Sequence, residues 1–181
     1  ASREHLYAIL QIIYREHKEL PTYLHLFTDG RDSPPQSSRE FVAEVEDMCR
    51  RTGVGKIATI IGRYYAMDRD LRWDRTEKAY NALTVNPTKT APSAKAAIEE
   101  AYVQNITDEF IDPTGIVGPN GKLYPRIGDN DAVIFYNYRI DRPRQLTRAF
   151  VLPNFETQAL PQAFDPYAVK YYHKHVIEED R

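Results

Sequence analysis

Three short apolar runs constrain this chain more than any other feature: TYLHLF (22–27), KIATII (56–61) and AVIFYN (132–137). Each is rich in β-branched or aromatic residues and free of internal Pro or Gly, so each reads as a strand, the second and third as buried ones. Around them the apolar residues switch to helical spacing. Leu6, Ile9, Leu10 and Ile13 predict an amphipathic helix over 3–18, ended by Pro21. Phe41, Val45 and Met48 share one face of a second helix. Ser37-Ser38-Arg39-Glu40 reads as its capping box, with Ser37 at the N-cap, and Gly53 as its stop. Trp73, Tyr80 and Leu83 place a helix at 72–83, and Ala94, Ala97, Ile98, Ala101 and Tyr102 place another that runs through 103. Asp141 is set to cap a helix over 142–150 with Leu146 and Phe150 inward, and GIVGPNGKLYP reads as a hairpin turning at Pro119-Asn120-Gly121. Strand and helix in alternation predict the α/β class: a three-layer sandwich with a mostly parallel central sheet flanked by helices, plus a small hairpin appendage.

Composition narrows the function classes. The 181 residues are 42% hydrophobic and 28% charged, enough for one good core and far from a disordered composition. A net charge of −2 argues against nucleic acid as a partner, since duplex binders carry a basic excess. The single cysteine, Cys49, excludes an internal disulfide and points to a reducing, cytoplasmic compartment. No apolar run is long enough to span a bilayer, so no membrane partner is expected. The sequence opens ASREHLYAIL, already inside a helical pattern, as if cut from something longer.

The segment after each apolar run carries the functional signal. Asp29-Gly30-Arg31-Asp32 comes after the first; Arg63, Asp68, Arg69 and Asp70 come after the second, within GRYYAMDRD; Arg139, Asp141 and Arg142 come after the third. Ligands of open α/β sheets bind outside the carboxyl ends of the strands. Parallel strands would therefore gather Arg31, Arg63, Arg69, Arg139 and Arg142 at one edge, close to helix N-termini. Guanidinium groups contact phosphate and carboxylate with two parallel hydrogen bonds, so the set suits a multiply charged small anion. The aspartates could hold the arginines or accept from substrate hydroxyls. The competing reading is a set of solvated Arg–Asp pairs, each worth roughly 0–1 kcal/mol. Tyr64, Tyr65 and Trp73 read as packing residues, and RNA binding through the Arg–Tyr loops is a weaker third reading.

Other constellations carry less. His173 and His175 lack the further ligands a zinc site needs. His25, inside an apolar strand, reads as a hydrogen-bonded core histidine. Asp129-Asn130-Asp131 lacks the glycine and glutamate of a calcium loop. Gly115, Gly118 and Gly121 do not sit between a strand and a helix, so they read as turns rather than a phosphate loop. No Ser-His-Asp arrangement and no two-metal cluster emerges. The sequence thus offers anion capture without an obvious reaction centre.

Three long motifs, LHLFTDGRDSPPQS, IIGRYYAMDRDLRWDRTEKAYNAL and VIFYNYRIDRPRQLTRAF, resemble the cofactor-independent (2,3-bisphosphoglycerate-independent) phosphoglycerate mutases in order and spacing. The resemblance covers the substrate-binding transferase domain, here 1–150, and implies interconversion of 3-phosphoglycerate and 2-phosphoglycerate in glycolysis. It leaves 151–181 as an unassigned tail that would lead toward a phosphatase-like domain. In the family that domain holds two divalent metals, often manganese (Mn2+), and a serine that carries the phosphoryl group; no metal ligand is expected in this chain. Carried over by motif, substrate contacts fall at Arg31, Asp32, Arg63, Arg69, Arg139 and Arg142, with Asp32 as candidate proton acceptor for the glycerate hydroxyls and Asp68 and Asp70 as positioners of the arginines. A family substrate histidine, in a Gly-Gly-Val-His-Ser segment, would fall at or just before Ala1. The resemblance implies a chain inactive alone; the alternative is a stand-alone sugar-phosphate or carboxylate-binding module without catalysis.

Overall fold

A computed structural model describes residues 2–153 and 155. The expected two-histidine segment at 173–175 and most of the 151–181 tail lie outside the described residues.

The elements run α1 (Arg3–Glu16), β1 (Tyr23–Thr28), α2 (Ser38–Thr52), β2 (Lys56–Gly62), α3 (Arg63–Ala66), α4 (Trp73–Thr84), β3 (Lys89–Ala91), α5 (Ala94–Val103), a 3₁₀ turn (Asp108–Phe110), β4 (Thr114–Ile116) and α6 (Arg144–Val151). Four strands form one sheet in the order β1-β2-β4-β3. β1 pairs with β2 in parallel, and β3 with β4 likewise, but β4 runs antiparallel to β2. The central sheet is therefore mixed, with one antiparallel step at its middle.

Successive residues of β2 point to opposite faces, and this divides the core in two. Ile60 packs in a cluster with Leu6 and Leu10 of α1, Val42 and Val45 of α2, and Ala97 and Ile98 of α5. Ile61 packs in a second cluster with Ala79, Ala82 and Leu83 of α4 and Leu146 of α6, with Phe150 against its edge. Helices thus cover both faces, as the three-layer reading requires. The hairpin forms as well. Val117 bridges Leu123 in antiparallel sense, and Gly121 takes a left-handed φ of 73° that a side chain would strain.

Three expectations are corrected. AVIFYN is not a strand among the described residues: Val133 and Ile134 stand 54% and 64% exposed. The run and the residue after it keep lateral contacts, with Phe135 edge-on to Phe27 and Tyr138 edge-on to His5. Apolar β-formers supply only half of a strand; a hydrogen-bonded ladder on a neighbouring edge supplies the rest. The Ser37 capping box also fails to form. Ser37 occupies the N-cap position, but its side chain makes no capping bond. The orphan N–H groups of Ser37 and Ser38 donate instead to Asp108 Oδ2 at 2.8 and 2.9 Å. That carboxylate is fully buried and also accepts from Tyr102 Oη at 2.6 Å, so it satisfies the helix start better than a local hydroxyl. Finally, Asp141 does not cap α6, whose N-cap is Pro143; its carboxylate is drawn to arginines instead.

Candidate functional site

The two parallel strands β1 and β2 end side by side, with Thr28 opposite Gly62, so their following loops meet. The first loop is drawn tight by its own aspartate: Asp29 Oδ1 accepts from the backbone N–H groups of Arg31 (3.1 Å) and Asp32 (3.0 Å). Gly30 takes φ 68°, and a Cβ there would lie 2.7 Å from the Glu109 nitrogen. The DGRD turn therefore rests directly on the 3₁₀ segment and has little freedom to shift.

Arg63 opens α3 immediately after β2, and its side chain is only 3% exposed. It reaches under the first loop, where Nη1 donates to Asp29 Oδ1 at 2.5 Å and Asp32 Oδ2 at 2.9 Å. Arg139 Nη1 donates to the same Asp32 Oδ2 at 2.6 Å. Asp141 Oδ2 accepts from Arg69 Nη1 at 2.6 Å, and the Asp141 carboxylate lies 4.0 Å from Nε of both Arg139 and Arg142. Arg142 is 13% exposed; its Nη1 donates to the Met67 carbonyl at 3.0 Å, while its buried Nε has no hydrogen-bond partner among the described residues. Arg31 stands apart at the rim, 64% exposed, with Nη1 3.3 Å from Glu109 Oε1.

Four guanidinium groups thus crowd around three carboxylates, and this sets the electrostatics. Hydrogen bonds from Arg63 and then Arg139 hold the Asp32 carboxyl down at about 2. Burial alone would raise Asp29, but hydrogen bonds from the Asp32 N–H, Arg63 and the Arg31 N–H leave it lowered. Arg142 is pushed below the usual arginine range by burial and then by the charges of Arg69 and Arg63, with Arg139 adding to them. A cation destabilised by neighbouring cations and short of acceptors is a place where an incoming anion gains most.

The predicted site residues Asp32, Arg63, Arg69, Arg139 and Arg142 are therefore brought together, even though the run ahead of Arg139 is not a strand. The Arg31 side chain is not drawn into this cluster and pairs with Glu109 instead. The expected role of Asp68 changes. It does not hold Arg63 or Arg69; its buried carboxylate accepts from the N–H groups of Asp70 (3.2 Å) and Arg72 (2.9 Å) and from Gln145. It shapes the loop that carries Arg69 rather than the guanidinium itself. Asp70 is exposed, and of its groups only the N–H enters this network. Tyr64 and Tyr65 pack as expected: Arg75 lies over the Tyr64 ring at 3.8 Å, and Tyr65 Oη donates to Asp112 at 2.9 Å. Glu109, Gln145 and the Met67 carbonyl escaped the sequence reading, because only tertiary contact brings them to the site.

Residues 1–174 match the family described as BPG-independent PGAM N-terminus (iPGM_N). The chain belongs to that family. Among similar proteins, it is 52% identical over 154 residues to a 2,3-bisphosphoglycerate-independent phosphoglycerate mutase of Chloroflexus aurantiacus, covering 85% of this chain and 28% of that protein. It is 48% identical over 158 residues to the mutase of the same name from Moorella thermoacetica, covering 87% of this chain and 30% of the relative. A solved structure of Leishmania mexicana phosphoglycerate mutase, crystallised at low cobalt concentration, superposes with a TM-score of 0.76 at 28% identity, covering 91% of this chain and 30% of that one. The iPGM_N chain thus spans about three-tenths of the length of the relatives it matches.

The arginine cluster does not suit a divalent metal. Each of its carboxylates is already held by guanidinium groups, and no group of three or more His, Cys, Asp or Glu among the described residues could hold such an ion. No helix among the described residues is long and apolar enough to cross a membrane. His25 is the core histidine the sequence predicts. Its Nδ1 lies 2.9 Å from Thr59 Oγ1, and burial, then the charge of Arg126, lower it to about 4. Cys49 is pushed up to about 11 by burial and by Glu46, which leaves it a poor nucleophile.

Proposed function

We propose that this chain is the substrate-holding part of a 2,3-bisphosphoglycerate-independent phosphoglycerate mutase, which interconverts 3-phosphoglycerate and 2-phosphoglycerate in cytoplasmic glycolysis. The observation that carries this reading is the convergence of Arg63, Arg69, Arg139 and Arg142 around a net deficit of negative charge, with the Arg142 Nε lacking a hydrogen-bond partner among the described residues. Residues 1–150 act as the transferase domain. The stretch 151–181 leads to a phosphatase-like domain, which supplies the phosphoryl-carrying serine and two divalent metals, manganese being expected.

The residues described above divide the work. Arg63, buried and doubly paired, is the floor that keeps Asp32 in place. Arg69, Arg139 and Arg142 grip the ligand's carboxylate and phosphate from the sides, and Arg31 closes from the rim. When a ligand takes over Arg139, the Asp32 carboxylate loses one of the two hydrogen bonds that hold it near 2 and becomes a better acceptor for a glycerate hydroxyl proton. The arginines also offset charge that develops on the phosphoryl oxygens during transfer.

Calorimetric titration of the chain with 3-phosphoglycerate, beside a coupled mutase assay with manganese present, tests this. Saturable binding without turnover is expected. Absence of binding, by this chain and by its Asp141→Asn variant alike, overturns the site, and appreciable turnover by the chain alone overturns its dependence on a second domain.

A further inference from the structure

Asp141 is placed by its arginine contacts rather than by a helix cap. It does not cap α6, and its side chain is 38% exposed. Instead it sits among three cations. Its Oδ2 is 2.6 Å from Arg69 Nη1 and 4.0 Å from Arg142 Nε, and its Oδ1 is 4.0 Å from Arg139 Nε. It also folds back on the chain, since Oδ1 accepts from the Arg142 N–H at 3.0 Å. The geometry is that of an anion seated at the mouth of a cationic socket. Asp32 plays a different part, bound from beneath by the buried Arg63.

We propose that Asp141 is a resident counter-anion: its carboxylate fills the place between Arg69, Arg139 and Arg142 that a ligand oxyanion takes, so binding is an exchange of carboxylates or phosphates rather than an addition. The inference rests on the anion-binding reading above. Its physical consequences are two. In the empty site Asp141 keeps three like charges from repelling one another into solvent, which preserves the socket. In the competition for those arginines it sets a threshold. A singly charged anion offers the guanidinium groups nothing that Asp141 does not already give without loss of translational freedom, whereas a phosphate bearing about two charges outbids it. Asp141 would then lower affinity overall and select for the phosphorylated ligand.

The test is calorimetric titration of wild type, Asp141→Asn, Asp141→Ser and Asp141→Glu with 3-phosphoglycerate, inorganic phosphate and unphosphorylated glycerate, with circular dichroism to confirm folding. Removing a competing half-exposed ion pair is worth up to about 5-fold in affinity. The Asn and Ser variants are therefore expected to bind all three ligands about 3- to 5-fold more tightly, with glycerate gaining most, while Glu binds like wild type. Binding by the Asn variant where wild type shows none supports the inference equally. Wild-type binding that is unchanged or weakened in both Asn and Ser variants overturns the inference and leaves the anion site standing. Absence of 3-phosphoglycerate binding in wild type and every variant overturns both.

Discussion

Gln145 and Asp68 meet 77 positions apart in sequence: the Gln145 side-chain amide donates to Asp68 Oδ2 at 2.7 Å, with both groups buried. The same amide donates to Thr76 Oγ1 at 3.2 Å, and its carbonyl oxygen accepts from the N–H of Leu71, a residue held at φ 58°. This lattice ties the loop that carries Arg69 to the start of α6, just beyond Arg142. It therefore sets the spacing of two arginines without touching either guanidinium. Asp68→Ala leaves the Gln145 amide, the Asp70 and Arg72 N–H groups and Arg75 Nη1 without their acceptor, and should cost about 2–4 kcal/mol. Asp68→Asn keeps one acceptor oxygen and should cost less. Urea unfolding at neutral pH measures both, and equal, small losses would contradict the lattice.

Arg63 and Arg69 should respond differently to truncation, although both belong to the proposed anion site. Arg69 is half-exposed and its pair with Asp141 lies at the surface, so Arg69→Ala should change stability by less than about 1 kcal/mol. Loss of one charge-assisted contact should weaken 3-phosphoglycerate binding by about 10-fold or more. Arg63 is buried beneath Asp29 and Asp32, and Arg63→Ala should cost about 2–4 kcal/mol as well as binding. Thermal melts beside calorimetry separate the two; a large stability loss in Arg69→Ala with binding intact would make it a structural pair only.

His25 makes stability depend on pH in a defined window. Its folded pKa of about 4 lies below the ordinary 6.5, so the unfolded chain takes up the proton first. The stabilising effect is complete above 6.5 and is lost progressively as pH falls from 6.5 to 4, by up to about 3 kcal/mol. The lowered carboxyls Asp29, Asp32 and Asp141 add their losses at more acidic pH. Urea midpoints at pH 7, 6, 5 and 4 should fall steadily in wild type, and the slope above pH 4 should flatten in His25→Asn. An unchanged slope in the variant would contradict the assignment.

Asp108 should be as critical to α2 as any core apolar residue. It serves the N–H groups of Ser37 and Ser38 and the Tyr102 hydroxyl, and its own N–H donates to the Pro35 carbonyl at 2.9 Å. Asp108→Ala should cost about 2–4 kcal/mol. Hydrogen exchange should show the loss first at the start of α2. A loss below about 0.5 kcal/mol would mean that water replaces the carboxylate freely.

The helices were readable because an amphipathic period is a local signal. The predicted 3–18 and 72–83 meet Arg3–Glu16 and Trp73–Thr84 within two residues. The antiparallel step was not readable, since β4 is only Thr-Gly-Ile and its place between β2 and β3 depends on tertiary contacts rather than on composition. The same holds for the α2 cap, where a distant buried carboxylate displaced the local serine. The arginines of the site were readable because each comes after an apolar run and falls within a family motif. The duties of Asp68, Gln145 and Asp141 were not, because each is defined by partners that only folding brings near.

The central claim, that these arginines jointly bind a phosphoglycerate, is tested most directly by the ¹⁵N Nε–Hε resonances of the arginine side chains during titration with 3-phosphoglycerate. The Arg63, Arg69, Arg139 and Arg142 signals should move together along one saturable curve, with the largest displacement at Arg142, whose Nε lacks a hydrogen-bond partner among the described residues. Arg126, whose Nη1 donates to the Ala58 carbonyl at 3.4 Å, serves as the stationary reference. Site signals that stay fixed, or that move no more than Arg126, would contradict the account.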